Sequence, residues 1–256
     1  MEEASLFRMK ISDAKTFKNV LTAISAIVDE ATFNIGPDGI KLRAMDPSRV
    51  AMVDFEMKKT SFDEYEAAGE SKVCINLSEL LKLLKRAGKD DVVEISLDEE
   101  SRRFMITMRG RYTRTFNMPT LEVGEEEVPE PRITFNVKAT LTTSDLQDVL
   151  KDAALVSDNV RIEADEDNLV MVAKGDIAGA KIEIKKGSDA LISMEAKERS
   201  KATFSLSYLS EIIKEASATS DIATLEFSTD MPIKLDFQQA KEGKLTFYLA
   251  PRIETE

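Results

Sequence analysis

The chain has 256 residues, 43% of them apolar, which is enough for one or two globular domains with real cores. Acids outnumber bases 47 to 35, for a net charge of −12, and histidine is absent, which removes the commonest general base and metal ligand. No apolar run reaches the roughly 18 residues of a membrane span and no signal-peptide pattern opens the chain, so the expectation is a cytoplasmic protein without a membrane partner.

Residues 4–10 alternate apolar and polar side chains and are predicted to form a strand. Ser12 is placed to cap a helix over residues 13–29, in which Ala14, Phe17, Val20, Leu21, Ile24, Ile27 and Val28 recur at helical spacing. The opposite face holds Lys15, Lys18, Thr22 and Ser25, with no carboxylate. Gly36-Pro-Asp-Gly39 turns a hairpin between strands at 31–35 and 40–45. Asp46-Pro-Ser-Arg49 then leads into a strand over 50–57, followed by shorter strands near 65–68 and 72–75. The lone cysteine, Cys74, lies in the last of these, where alternation makes it a buried strand thiol; it cannot form an internal disulfide. Asn76 caps a helix over 77–87, with Glu79 at the capping-box position and Gly88 as its C-terminal stop. Leu77, Leu80, Leu81, Leu84 and Ala87 face the core, while Ser78, Lys82, Lys85 and Lys89 form a stripe that also lacks an acid. Strands over 92–97, 103–108 and 111–118 complete this half.

Residues 118–131 contain three prolines, a glycine and five glutamates, a composition that forbids a helix and keeps the chain extended. Leu121, Val123 and Val128 are spaced along this acidic strip. It is either a plain linker or a strap over a groove that helps to hold a partner. The predicted organisation is an N-terminal domain over 1–117, a connector over 118–132 and a C-terminal domain over 133–256. In the second half we expect a strand at 133–139, a helix over 144–155, strands at 160–164, 169–173 and 180–184, a helix over 206–216, and strands at 222–227, 233–237 and 245–249. The halves match at a constant offset of 129 residues: Leu77, Leu80, Ile27 and Phe33 meet Leu206, Leu209, Val156 and Ile162. The chain therefore reads as an internal duplication. With about four helices among sixteen or more strands, the fold class is α+β with antiparallel sheets in two similar domains.

No nucleotide-binding loop, nucleophile elbow or Cys/His metal spacing is present, so no enzyme, metal or cofactor is expected. The helices carry the chemical signal. Lys15, Lys18, Lys82, Lys85, Lys151 and Lys214 lie on polar helix faces of an acidic protein. Such a stripe is either solvated or set to touch a phosphate backbone without reading sequence. No aromatics interleave with these lysines, which argues against stacking on single-stranded bases. Asp145, Asp148 and Asp152 form an acidic edge in one half, and Arg86, Lys89 and Arg114 lie in the other. These charges are either merely solvated or pair head to tail between subunits, a contact that closes into a ring if the rotation permits.

Leu42-Arg-Ala-Met-Asp-Pro-Ser-Arg-Val50, Asn76-Leu-Ser-Glu-Leu-Leu-Lys-Leu-Leu-Lys85, Lys151-Asp-Ala-Ala-Leu-Val-Ser-Asp158 and Tyr248-Leu-Ala-Pro-Arg-Ile-Glu254 together resemble the sliding-clamp family of proliferating cell nuclear antigen, in its archaeal form. The resemblance covers essentially the whole chain. It implies a non-enzymatic homotrimeric ring around double-stranded DNA, with helices lining the hole and antiparallel sheets outside, that tethers replicative polymerase as a processivity factor. The six lysines would face the duplex, while Ser25, Leu155 and Ser207 stand where eukaryotic members carry basic or polar residues. The resemblance also implies a groove formed by Met45, Arg49, Val50, Met52, Leu121, Val123, Val128, Pro129, Pro232, Tyr248, Leu249, Ala250, Pro251 and Ile253. Polymerase, clamp loader, flap nuclease and ligase would dock there through short peptides bearing aromatic residues. Glu126 stands where an apolar connector residue is expected. Subunits would join along 111–118 and 180–184, bringing Arg86, Lys89, Arg114 and Phe116 to Asp145, Asp148, Asp152, Ile182 and Ile184. The alternatives are a subunit of a heterotrimeric clamp and an acidic peptide-binding adaptor without a DNA role.

Overall fold

A computed structural model describes residues 5–98, 101, 103–124, 128–239 and 242–253. The first half runs β1 (Ser5–Ile11), α1 (Ala14–Ser25), β2 (Glu30–Gly36), β3 (Gly39–Met45), β4 (Ala51–Lys58), β5 (Glu64–Ala67), β6 (Ser71–Asn76), α2 (Leu77–Leu84), β7 (Val92–Asp98), β8 (Arg103–Arg109) and β9 (Thr113–Pro119). The second runs β10 (Val137–Thr142), α3 (Thr143–Ala154), β11 (Asn159–Ala164), β12 (Asn168–Lys174), β13 (Gly179–Lys185), β14 (Leu191–Ala196), β15 (Ser200–Ser205), α4 (Leu206–Ala216), β16 (Ile222–Phe227), β17 (Ile233–Gln238) and β18 (Gly243–Leu249). The strand order β5-β1-β7-β8-β9 of the first half returns as β14-β10-β16-β17-β18, and β4-β3-β2-β6 returns as β13-β12-β11-β15. Duplication is therefore visible in topology as well as in sequence.

The strands form because apolar residues alternate along them. In β8, Phe104, Ile106 and Met108 are buried while Arg103 and Arg109 are exposed. In each half a pair of helices supplies the other wall of the core. α1 buries Phe17, Val20, Leu21, Ala23 and Ile24 and packs on α2, which buries Leu77, Leu80, Leu81 and Leu84. α3 and α4 pack together likewise, through Leu146, Leu150 and Ala153 and through Leu209, Ile212 and Ile213. Fine details repeat too. Leu77 N–H donates to Asp29 O at 2.8 Å, and Leu206 N–H donates to Asp158 O at 2.9 Å. Leu121 bridges to Cys74 on the open side of β6, just as Arg252 bridges to Thr203 on the open side of β15. In each half the chain beyond the last strand returns to cover an edge.

The chain divides into two compact units. Unit 1 comprises Met1–Ala44, Val53–Val128 and Gln239–Leu245; unit 2 comprises Met45–Met52, Pro129–Gln238 and Thr246–Glu256. This differs from the expected continuous partition, because strand pairing decides membership. In unit 2, Ala250 N–H donates to Val50 O at 2.8 Å; in unit 1, Lys58 N–H donates to Glu242 O at 3.4 Å.

Several local expectations need correction. The cap of α1 is Asp13, whose carboxylate accepts from Thr16 N–H at 3.0 Å, while Ser12 instead donates to Asp63. α1 stops at Ser25, and Ile27 and Val28 continue only as a turn bonded to Ile24 O. α2 is shorter than predicted because Lys85 is already its C-cap; Gly88 instead donates its N–H to Asp91 at 2.8 Å in the following turn. Residues 133–136 lie outside β10. β14 and β15 are additional strands: in β15, Ala202 and Phe204 point inward among serine, lysine and threonine, too few apolar residues for a clear period. Cys74 is a free, buried strand thiol as expected, but not through alternation: Val73 and Ile75 on either side of it are buried too. Glu126 lies outside the described residues.

Candidate nucleic-acid and partner-binding surfaces

Amphipathic spacing fixes where the lysines go. Because each helix turns its apolar stripe to the core, Lys15, Lys82, Lys85, Lys151 and Lys214 stand exposed and Lys18 half-buried. At the 129-residue offset only Lys85 and Lys214 occupy equivalent positions; Lys82 meets Glu211, and Lys151 meets Thr22. The stripe on α2 does contain an acid, contrary to expectation. Lys82 Nζ lies 2.6 Å from Glu79 Oε1, because three residues on a helix bring two side chains together. Lys151 pairs with Asp148 at 2.9 Å, and Lys214 pairs with Glu215 at 2.7 Å and with Glu211 at 3.8 Å. The Glu215 carboxylate raises the Lys214 amine above its ordinary value. Among the described residues, Lys15, Lys18 and Lys85 form no ion pair. Of the six helix lysines, the unpaired ones therefore lie on α1 and at the end of α2.

The expected groove residues fall in both units. In unit 2, Met45, Arg49 and Pro129 are exposed, and Val50, Pro232, Tyr248, Ala250 and Pro251 are half-buried. Ile253 is 89% exposed. Met52 and Leu249 do not line a surface: at 5% and 0% exposure they belong to the core, because they point inward from paired strands. In unit 1, Leu121 is held by its N–H to Cys74 O at 2.8 Å, and Val123 is exposed. Val128 O accepts from the Arg43 guanidinium at 3.5 Å. Arg43 also reaches the buried Asp54, at 3.3 Å, which pairs with Lys244 at 2.6 Å.

The turn between β3 and β4 is built around one carboxylate. Asp46 is only 5% exposed, and Oδ1 accepts from Val50 N–H and Ala51 N–H, each at 2.7 Å. Oδ2 accepts from Ser48 N–H at 3.1 Å and from the Tyr208 hydroxyl of α4 at 2.8 Å. Burial by itself would raise the Asp46 pKa; these donors outweigh it and hold the carboxyl below its ordinary value. The same bond to Asp46 raises the Tyr208 phenol. Arg49 adopts a φ of 58°, a left-handed conformation that this network holds in place. The sequence shows the turn but not its anchor. An aspartate that accepts from backbone two residues on is a legible turn signal, whereas Tyr208 lies 162 positions away.

β9 and β13 are edge strands, and both sit where subunit contacts were expected. Phe116 and Ile182 are half-buried on them, but Ile184 is buried within unit 2 and faces its core. Several of the charges expected to cross between subunits are engaged locally. Arg114 pairs with Asp91, donates to Arg86 O at 3.0 Å and lies 4.9 Å from the Tyr112 ring centroid. Asp145 accepts from Thr142 within the cap of α3 at 2.6 Å, and Asp148 holds Lys151. Arg86, Lys89 and Asp152 are exposed, without an ion pair among the described residues. No group of residues arranged to hold a metal occurs among those described.

Two copies of one module, each with an outward lysine-bearing helix pair and an open strand edge, define a protein of the DNA-clamp fold. The chain belongs to the proliferating cell nuclear antigen family: the family's N-terminal domain matches residues 6–127 and its C-terminal domain matches residues 129–252. A DNA polymerase sliding clamp of Thermofilum pendens is 36% identical over 94% of this chain and 97% of its own. That of Pyrococcus furiosus is 35% identical over 97% and 99%. Among solved structures, the proliferating cell nuclear antigen of Thermococcus kodakaraensis superposes with a TM-score of 0.90 at 26% identity, covering 96% of this chain and all of that one. A chain of the PCNA2–PCNA3 complex from Sulfolobus tokodaii gives a TM-score of 0.87 at 28% identity over the same shares.

Proposed function

We propose that copies of this chain close into a homotrimeric ring around double-stranded DNA and act as a sliding clamp, a non-catalytic processivity factor for a replicative polymerase in the cytoplasm. The observation that carries this reading is the repeat of strand order. β9 and β13, which end the sheets β5-β1-β7-β8-β9 and β13-β12-β11-β15, are both open edges. Pairing β9 of one subunit with β13 of the next joins two open edges, and head-to-tail repetition closes a ring when the rotation permits. The lysine faces then touch phosphates from inside the ring. Their partial neutralisation by Glu79, Asp148 and Glu215 suits a ring that must slide, because strong contacts would halt it.

Client enzymes would dock through short peptides on the unit 2 surface around Met45, Val50, Pro232 and Ala250. Clamp loader, flap nuclease and ligase are further expected clients. Holding a client at the primer end raises its effective concentration there without any new chemistry. The test is topological. After loading onto nicked circular duplex, the protein should stay through gel filtration at moderate salt and be lost once the circle is cut. Equal loss from circle and line would defeat the clamp reading. A second reading, a subunit of a mixed ring, is favoured by the likeness to a chain from a complex of two different clamps. Sedimentation separates the two: a homotrimer has three times the chain mass, whereas an obligate mixed-ring subunit stays smaller.

A further inference from the structure

We infer that the Tyr208 hydroxyl is a positioning group for client binding: it fixes the 46–50 turn from α4, so that the shape of the docking surface depends on the helix that also carries a duplex-facing lysine. The inference rests on the clamp reading above for what docks there, and on unit 2 geometry for how the surface is held.

Four donors converge on Asp46. Three are backbone N–H groups of the turn itself and close it locally; the fourth, Tyr208, is the only one of the four from outside the turn and the strand it enters. The turn needs such support. Arg49 N–H donates to Asp46 O at 2.9 Å with Arg49 held at positive φ, a conformation that costs a non-glycine residue free energy. Asp46 N–H donates to Ala51 O at 2.9 Å, and Val50 O accepts from Ala250 N–H at 2.8 Å. A shift of the Asp46 carboxylate therefore moves Val50, and with it the tail at Ala250. These are the backbone groups and side chains on which a client peptide would lie. On α4, Tyr208 stands in the first turn and Lys214 near the C-terminus.

The balance of charges explains why a single hydroxyl matters. Asp46 is buried and stays ionised because its donors compensate its lost hydration. Tyr208→Phe removes one donor and leaves the shape of the ring unchanged. One Asp46 oxygen is then under-satisfied, and the turn relaxes to let water in.

The test uses the full-length ring and a fluorescein-labelled synthetic peptide with one helical turn and two adjacent aromatic residues. Tyr208→Phe should leave the trimer mass unchanged and weaken peptide binding about ten- to 150-fold, the range expected for one hydrogen bond to a buried charge. Amide exchange at Val50 and Ala51 should quicken, while that at Leu225 and Leu235 in the core strands stays slow. Asp46→Asn should weaken binding as well, and the double variant should be no worse than the poorer single one, since both break the same hydrogen bond. Additive losses, or undiminished peptide affinity in Tyr208→Phe, would overturn the positioning role. If the unaltered protein fails to bind the peptide, it is the docking surface of the clamp reading that fails, and the exchange rates still judge the hydrogen bond.

Discussion

Glu79→Gln offers the sharpest test of what the helices do. Lys82 and Glu79 lie 2.6 Å apart, with side chains 66% and 57% exposed. An exposed pair of this kind contributes only about 0.3–0.5 kcal/mol, so removing the acid hardly disturbs α2. It does free Lys82 to meet a phosphate. Each additional phosphate neutralised steepens the fall of log affinity with log salt by about 0.9, which amounts to about 3.5-fold between roughly 50 and 200 mM salt. Anisotropy of a labelled short duplex, titrated with the ring across that range, reads the slope directly. Glu79→Gln should steepen it, Lys85→Ala should flatten it, and Lys82→Ala should change it less than Lys85→Ala because Lys82 starts out paired. If Lys85→Ala and Glu79→Gln both leave the slope unaltered, α2 does not face the duplex and the assignment of the pore is wrong.

Two further outcomes follow from the structure. Ile182→Glu and Phe116→Glu place an unpaired carboxylate on the edges proposed to join, where burying an uncompensated charge costs roughly 3–5 kcal/mol. Sedimentation at micromolar protein should show monomers with native circular dichroism; intact trimers would exclude β9 and β13 as the joint. Tyr65 supplies a pH dependence. Burial, and next to it the Glu70 carboxylate, push its phenol up to about 12 from an ordinary 10.0, while its hydroxyl bonds to Gly36 O at 2.7 Å in the β2–β3 hairpin. The folded protein thus prefers the neutral phenol, so this stabilisation is complete below the unfolded value and is lost as pH climbs from 10.0 towards about 12. In urea titrations Tyr65→Phe should be less stable than the original by about 1 kcal/mol near neutrality, with the gap closing at high pH. A gap that stays constant up to pH 12 would show that the phenol does not titrate as argued.

Alternation and helical spacing locate most strands and all four helices, because burial on one face leaves its period in the residues themselves. Capping is harder to read. Ser12 and Asp13 are both good caps, and the choice between them is made by Asp63, which takes the Ser12 hydroxyl from 51 residues away. The end of α2 is hidden for a similar reason: apolar spacing continues to Ala87, but Gly88 and Asp91 bend the chain after Lys85. Met52 and Leu249 match the family pattern of a groove yet are buried, since motif position does not say which side of a strand faces solvent. Arg114 reads in the sequence as a charge awaiting a partner subunit, and only the fold shows that Asp91 already engages it.

What the residues determined by themselves was the duplication, the α+β class, the lysine faces and the family, since each depends on order and period along the chain. The tertiary structure alone decided which lysines keep their charge unpaired, which edge strands stay open, and that Asp46 and Tyr208 meet. Those are outcomes of distance between residues far apart in sequence. A small displacement of a carboxylate changes whether a charge is neutralised inside the protein or offered to a partner, and no spacing rule records it.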